Sequence, residues 1–287
     1  MSSRKIGVFQ VRKKFAVVSI TGSYCYLRCK HCNARYLSSM IPSSPKLLRK
    51  TIDKLYTQGV RGILLSGGFN KDGYLPIGES INDLEYAKKL GFVINAHLGF
   101  IDKKDLLYDI KELIDVVDFE FTLSRNYIAN TRGKKFSPET YKSTIENMVD
   151  AGLNVVPHLF LWHPWSSLDL LIEEINFIKN LGINTINTLV YIPSFSTYLD
   201  KERLLPLITS RIKWLRHEFE GNIYMGCMRP HILKKELDSF IVEKRLVERI
   251  ANPHPLVIKK FHNDIELFDA CCSIPNVYIE RFKVVKD

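Results

Sequence analysis

The chain has 287 residues, of which 46% are hydrophobic, and its 41 Lys and Arg against 31 Asp and Glu give a formal charge of +10. This balance is typical of a globular protein and excludes a disordered chain, a collagen and a disulfide-dense miniprotein. No apolar run approaches the roughly 20 residues needed to cross a bilayer. The basic start, MSSRKIGVFQVRKKF, also lacks the apolar core of a signal peptide. We therefore expect a cytoplasmic protein with no membrane partner.

A repeating unit of helix, glycine and strand runs through the chain. Apolar-periodic stretches end at Gly59, Gly91, Gly152 and Gly182, and an apolar strand follows each of them. Glycine at the end of a helix adopts the left-handed conformation that stops it. The spacing is about 30 residues or twice that, which is typical of a parallel α/β fold. We predict a (β/α) TIM-type barrel, full or partial, with a doubly wound open sheet as the alternative.

Short apolar runs mark the strands of this fold. The predicted strands lie near residues 15–20, 61–66, 92–98, 117–123, 154–161, 185–191 and 222–227, with further candidates at Arg249–Ala251 and Val277–Ile279. Their lack of clean alternation is expected when both faces of a strand are buried. We predict one barrel domain over residues 15–270, an N-terminal extension over 1–14 and a C-terminal appendage over 271–287.

Three cysteines crowd the loop that follows the first predicted strand. Cys25, Cys29 and Cys32 form a CxxxCxxC pattern at the carboxyl end of that strand, where barrels carry their chemistry. Three thiolates can hold three corners of a 4Fe–4S cluster and leave the fourth iron open. A structural zinc site would need a fourth ligand, and His31 is the candidate for it.

The segment CYLRCKHC resembles the signature of radical S-adenosylmethionine enzymes, CxxxCxΦC, with His31 at the usually aromatic position Φ. The resemblance implies that the His31 ring lies beside the adenine of S-adenosylmethionine. It also implies that the open iron binds the methionyl amino and carboxylate groups. A ferredoxin- or flavodoxin-type donor would supply one electron, and cleavage would give a 5′-deoxyadenosyl radical that abstracts hydrogen from the substrate.

Other polar and glycine positions at strand ends extend this resemblance to the cofactor. Ser66, Gly67 and Gly68 follow the second predicted strand, where the family carries a GGE-like motif, although Phe69 replaces its acidic residue. Glycine permits the close backbone approach that such a motif needs. At the end of the fourth strand, the resemblance implies that Thr122 and Ser124 contact the ribose.

In the order of its later segments the chain resembles the biotin synthase and lipoyl synthase-like archaeal group. That resemblance implies sulfur insertion of the lipoyl synthase type, with an octanoyl chain on a lysine of an acyl-carrying protein and a second radical S-adenosylmethionine subunit as partners. The basic surface would suit an acidic carrier. It also keeps nucleic acid open as a partner, so the alternatives are a tRNA-modifying enzyme and a non-catalytic iron–sulfur or zinc-binding protein.

The remaining cysteines offer ligands for a possible auxiliary iron–sulfur cluster. Cys227 ends the seventh predicted strand, and Cys271 and Cys272 are adjacent near the C-terminus. Inert buried thiols are the alternative. Arg229, close to Cys227 in the sequence, is a candidate to hold a carboxylate or a cluster-bound anion.

Three further side chains are candidates for contact with substrate. His158 lies within the fifth predicted strand, and Trp162 and His163 follow it at the expected mouth of the barrel. The aromatic pair could wall off an apolar substrate and exclude water. Simple packing in the core is the alternative for all three.

Overall fold

The computed structural model describes residues 5–30, 32–193 and 199–285. Within these ranges eleven strands form one sheet. The strands are β1 (Ile6–Phe9), β2 (Phe15–Ser19), β3 (Ile41–Pro42), β4 (Gly62–Ser66), β5 (Val93–Ala96), β6 (Val116–Glu120), β7 (Val155–Trp162), β8 (Thr185–Val190), β9 (Asn222–Met225), β10 (Arg249–Ala251) and β11 (Ile265–Phe268). Every strand pair in the sheet is parallel.

Helices alternate with most of these strands. They are α1 (Leu48–Thr57), α2 (Ile81–Lys89), α3 (Lys104–Ile110), α4 (Arg125–Thr131), α5 (Pro138–Asp150), α6 (Leu168–Asn180), α7 (Lys201–Glu218), α8 (His231–Glu243) and α9 (Pro255–Lys260). The strand order is β11-β1-β10-β9-β8-β7-β6-β5-β4-β2-β3, so the sheet curves into a partial (β/α) barrel whose terminal strands are β3 and β11. The predicted fold class is confirmed in its partial form.

Local sequence signals place the helix ends. Gly59, Gly91, Gly152 and Gly182 have φ angles of 84°, 81°, 86° and 72°, in the left-handed region that ends helices. Ser167 caps α6, because its hydroxyl accepts the backbone N–H of Leu170 at 3.1 Å. Ser167 and Gly182 thus bracket α6.

Four strand assignments differ from the prediction, and the two-residue β3, which pairs with β2, is one that was not predicted. β1 lies in the segment predicted to precede the barrel, yet it is buried and pairs with β10 and β11 inside the sheet. β11 was not predicted, because its sequence IELF places a polar residue within a short apolar run. The candidate strand Val277–Ile279 is wrong, since Asn276–Phe282 forms a 3₁₀ helix that starts after Pro275.

The parallel order brings the carboxyl ends of the strands to one rim. The cysteine loop follows β2, Gly67 and Gly68 follow β4, and His97 follows β5. A parallel barrel gathers functional residues at this rim from segments that are distant in sequence. In the described part of the chain, no helix combines the length and the apolar character needed to cross a membrane.

Candidate active site

A cavity of about 430 Å³ opens at the carboxyl ends of the strands. Cys25, Cys29 and Cys32 all line it. Much of the rest of its wall is apolar, and includes Phe69, Phe100, Phe119, Leu189, Ile192 and Met228. A concave, largely apolar site with a few converging polar groups is typical of small-molecule binding.

The cysteine loop is folded by its own backbone and tied to α4. The carbonyl oxygen of Cys29 accepts the N–H groups of Cys32 and Asn33 at 3.0 and 2.7 Å. The N–H of Lys30 donates to the carbonyl oxygen of Thr131 at 3.1 Å. Cys25 and Cys29 are buried and Cys32 is half-buried, and all three are free thiols. His31 lies outside the described residues.

The three thiols share one electrostatic environment. Burial raises the pKa of Cys32, and the neighbouring Cys29 and Cys25 raise it further, whereas Arg132 lowers it. Arg132 donates from Nη1 to the Sγ of Cys29 at 3.3 Å. A guanidinium is therefore in direct contact with one of the three cysteines.

The donor set of three thiols is chemically compatible with a 4Fe–4S cluster. Among the described residues no group of three or more His, Cys, Asp or Glu side chains is arranged to hold one metal ion. A closed zinc site needs four ligands that converge on one point. A cluster instead takes one thiolate at each of separate corners, which thiols spread along one cavity wall can supply.

The loop after β4 supports the cysteine loop. Ser66, Gly67 and Gly68 line the cavity, as their predicted role in cofactor binding requires. The N–H of Gly68 donates to Oγ1 of Thr21 at 2.6 Å, and the backbone N–H of Tyr26 donates to the carbonyl oxygen of Phe69 at 2.9 Å. Ser66 is further engaged, because its Oγ lies 3.1 Å from Nδ1 of His97.

Thr122 and Ser124 do not line the cavity. The Thr122 hydroxyl donates to Oε1 of Glu174 at 2.8 Å. The Ser124 hydroxyl caps α4 by accepting the N–H of Tyr127 at 3.2 Å. Both hydroxyls are thus engaged within the protein, and their contact with a ribose stays a prediction.

Of the predicted substrate residues, His158 lines the cavity. Its Nε2 lies 3.1 Å from Oδ1 of Asp118. Asp118 also accepts hydrogen bonds from Asn95 at 3.1 Å and from Ser273. Burial alone would raise the pKa of Asp118. The hydrogen bond and the electrostatic attraction to His158 together have the larger effect, so the pKa of Asp118 is lowered.

Trp162 and His163 are not cavity-lining residues. Trp162 ends β7, and its carbonyl oxygen accepts the N–H of Tyr191 at 2.9 Å. The His163 ring packs 4.8 Å from the ring of Tyr127, centre to centre. Burial lowers the pKa of His163 to about 4, so the ring is neutral near pH 7. Both side chains pack against the protein here, and their role as a substrate wall stays a prediction.

Arg229 is also outside the cavity. Its guanidinium forms a fully buried ion pair with Asp238, with N–O distances of 2.7 and 3.1 Å. Further hydrogen bonds run to the carbonyl oxygens of Gly226 and, at 2.9 Å, Ala251. The guanidinium donors are thus used within the protein, and contact of Arg229 with an anion stays a prediction.

The three remaining cysteines have different surroundings. Cys227 is exposed on the cavity wall, where partial desolvation by that wall and the neighbouring Cys271 raise its pKa. A hydrogen bond with Cys272, burial and the charge of Asp118 raise the pKa of Cys271 well above its ordinary value. Cys272 is buried and its Sγ accepts from Asn187 at 3.4 Å. Within the described residues these thiols do not form a group that could hold a metal ion.

Sequence reasoning missed three charged residues of the cavity, Asp118, Glu120 and Arg132. The two carboxylates occupy alternate positions of the buried strand β6, and residues two apart share one face of a strand. Two acids in an otherwise apolar strand were a usable signal. Arg132 offered none, because it stands at the end of a helix within the basic stretch TRGKK.

No protein-family model and no curated protein sequence matches the chain. Solved structures do share its fold. Streptococcus suis SuiB aligns with a TM-score of 0.58 at 15% identity, covering 80% of this chain and 51% of SuiB. Methylornithine synthase (PylB) gives 0.57 at 13% identity, covering 86% and 72%. The anSMEcpe structure with bound AdoMet gives 0.55 at 9% identity, covering 73% and 63%.

The likeness to these structures is one of fold, the partial (β/α) barrel. SuiB has also been solved bound to S-adenosylmethionine and bound to its precursor peptide SuiA. The part of SuiB that this chain matches is about half of the SuiB length.

Proposed function

We propose that the chain is a radical S-adenosylmethionine enzyme, with a 4Fe–4S cluster on Cys25, Cys29 and Cys32. The observation that carries the proposal is the position of these three thiols on the wall of one cavity of about 430 Å³ at the carboxyl rim of a partial barrel. When bound, the cluster and S-adenosylmethionine supply a 5′-deoxyadenosyl radical that removes hydrogen from the substrate.

The comparisons support the cofactor. SuiB and anSMEcpe share the fold, and both have been solved with S-adenosylmethionine bound. In this chain the backbone of Gly67 and Gly68 would lie beside the cofactor, because both residues line the cavity next to the cysteines. Phe69 and Phe100 would keep water away from the reacting atoms.

Access for an electron donor is available on the outer side of the cysteine loop. The side chains of Tyr24 and Tyr26, which flank Cys25, are 61% and 58% exposed. We propose a ferredoxin- or flavodoxin-type donor at this surface. All six cysteines are free thiols, which suits a reducing, cytoplasmic location.

For the substrate we propose a group carried on a peptide or protein. SuiB has been solved with its precursor peptide and anSMEcpe with the Cp18Cys peptide. The largely apolar wall would accept an extended alkyl chain, such as an octanoyl group on a carrier protein, and a second subunit could then take part.

Sulfur insertion of the lipoyl synthase type is the finer candidate. It is favoured by the Cys227 thiol, which lies on the wall of the same cavity with Cys271 as its electrostatic neighbour. Iron content after anaerobic reconstitution tests it. About eight irons per chain, reduced to about four in Cys227→Ala, would support a second cluster. About four irons in the unaltered chain would remove the sulfur-donor role from this chain.

The decisive experiment for the main proposal is turnover of S-adenosylmethionine by the anaerobically reconstituted protein. We expect 5′-deoxyadenosine to form in the presence of dithionite and to be lost in Cys29→Ala. Lys30→Ala is the matched control, because Lys30 lies on the same loop with an exposed side chain. Iron or zinc binding without 5′-deoxyadenosine formation would instead support a non-catalytic metal protein.

A further inference from the structure

Arg132 bridges a cysteine of the loop and a carboxylate of the barrel. Its Nη1 donates to Sγ of Cys29 at 3.3 Å, and its Nη2 lies 2.7 Å from Oε1 of Glu120. The side chains of Arg132 and Glu120 are only 12% and 16% exposed. The bridge is therefore shielded from solvent and from screening by salt.

Both ends of this bridge are fixed by the fold. Arg132 is the C-cap residue of α4, and the preceding residue, Thr131, accepts the backbone N–H of Lys30 from the cysteine loop at 3.1 Å. On the other side, the hydroxyl of Tyr127 donates to Oε1 of Glu120 at 3.2 Å. The guanidinium is thus held against Cys29 without any bound ligand.

The Tyr127 side chain is locked in turn by aromatic packing. It is fully buried, and its ring lies 5.0 Å from the ring of Phe160 and 4.8 Å from that of His163. The loop that carries His163 lies outside the cavity but packs against the Tyr127 ring. The Tyr127 hydroxyl in turn bonds to Glu120 and fixes its orientation.

A positive donor at a ligating sulfur has a definite effect on an iron–sulfur cluster. Reduction adds one negative charge, and hydrogen bonds to the sulfurs are among the factors that set the reduction potential. An arginine stays protonated in proteins, so its charge is permanent. It stabilises the reduced cluster more than the oxidised one, and Glu120, which is close to the same guanidinium, offsets part of that effect.

We propose that Arg132 is a positioning residue that raises the reduction potential of the cluster through its hydrogen bond to Cys29, with Glu120 as the opposing charge. This inference rests on the proposed function, because it requires a cluster on Cys25, Cys29 and Cys32. It adds a residue outside the cysteine motif whose role is to make one-electron reduction easier.

The test is a redox titration of the reconstituted protein, followed by the electron paramagnetic resonance signal of the reduced cluster, without substrate. We expect Arg132→Gln to lower the equilibrium constant for reduction at least tenfold, which is about 59 mV for one electron. Glu120→Gln should shift the potential in the opposite direction. Arg125→Gln is the matched control, because Arg125 starts the same helix but is exposed and pairs with Glu139. The reduction potential of the cluster in this variant should equal that in the unaltered protein.

The outcomes separate this inference from the proposed function. A normal cluster signal with an unchanged potential in Arg132→Gln overturns the role of Arg132 and leaves the enzyme proposal standing. Absence of a 4Fe–4S signal in the unaltered protein overturns both. If Arg132→Gln assembles no cluster, Glu120→Gln decides, and an unchanged potential in that variant overturns the inference.

Discussion

Gly68 lies so close to Cys25 that a Cβ atom on Gly68 would stand 2.4 Å from the Cα of Cys25. The same atom would be 1.9 Å from the carbonyl oxygen of Tyr24. Both neighbours are backbone, so they cannot rotate away as a side chain can. Glycine is required here by close approach of two loops and not by an unusual backbone conformation.

We predict that Gly68→Ala displaces the cysteine loop and impairs cluster assembly. Iron content after anaerobic reconstitution should fall by more than half of the roughly four irons per chain that the cluster on Cys25, Cys29 and Cys32 contributes. Gly78→Ala is the control, since the nearest atom to a Cβ there is Cδ1 of Leu106 at 3.6 Å, an ordinary contact. Full iron content in Gly68→Ala would show that the contact between the loops does not position the ligands.

A second prediction concerns Glu174, a buried carboxylate on α6. Burial raises the pKa of Glu174 from 4.5 to about 7, although it accepts hydrogen bonds from Thr122 and the N–H of Leu123. The folded state therefore binds a proton that the unfolded chain releases between these pH values. Stability should fall as pH rises from about 4.5 to 7, by about 3 kcal/mol at most.

Glu174→Gln should remove this pH dependence, because an amide keeps an acceptor oxygen and does not ionise. Urea unfolding at pH 5 and pH 8 measures the free energy of unfolding of both proteins. At pH 8 the variant should be more stable relative to the unaltered protein than it is at pH 5. Glu173→Gln is the control, as Glu173 is 60% exposed. Equal pH dependence in Glu174→Gln and the unaltered protein would contradict the assignment.

The fold was largely predictable because its signals are local. Glycines such as Gly152 and Gly182 end helices by their own backbone conformation, and a buried parallel strand is a short apolar run in the sequence. β1 was not predicted, because its sequence, IGVF, does not indicate that the strand pairs with β10 and β11, which lie more than 200 residues away. Such pairing depends on the closure of the sheet.

The site was predictable only where its residues are neighbours in sequence. Cys25, Cys29 and Cys32 need only their spacing and the strand before them. The sequence did not indicate that Thr122 and Arg229 bond to Glu174 and Asp238. Each partner lies on a helix whose packing the sequence pattern does not specify.

We predict that Asp118→Asn destabilises the protein by roughly 1–3 kcal/mol near pH 7. The amide would place a donor against His158, Ser273 and Asn95, which now share the carboxylate. Since the pKa of Asp118 is lowered below 3.8, its contribution is present above about pH 4 and is lost as pH falls further. The difference between variant and unaltered protein should thus shrink as pH falls below about 4.

Asn95→Ala is the companion variant, because it removes one donor and leaves Asp118 ionised and bonded to His158. Measured by urea unfolding, Asn95→Ala should lower the free energy of unfolding by less than Asp118→Asn does. A larger loss in Asn95→Ala would mean that packing around Asn95, and not the carboxylate network, holds this wall of the cavity.

A last prediction distinguishes a structural arginine from a ligand-binding one. Arg229→Met leaves Asp238 buried without its cation, and the loss should be roughly 3–5 kcal/mol. The double variant Arg229→Met, Asp238→Leu should recover much of that loss, because two well-packed apolar residues can replace a buried ion pair. Recovery is limited by the backbone N–H of His254, which also donates to Asp238 at 2.8 Å.

Denaturant unfolding measures the stability, and equilibrium dialysis against S-adenosylmethionine at a temperature where both variants are folded should show unchanged affinity. Loss of affinity for S-adenosylmethionine in the double variant would support the prediction that Arg229 binds an anion.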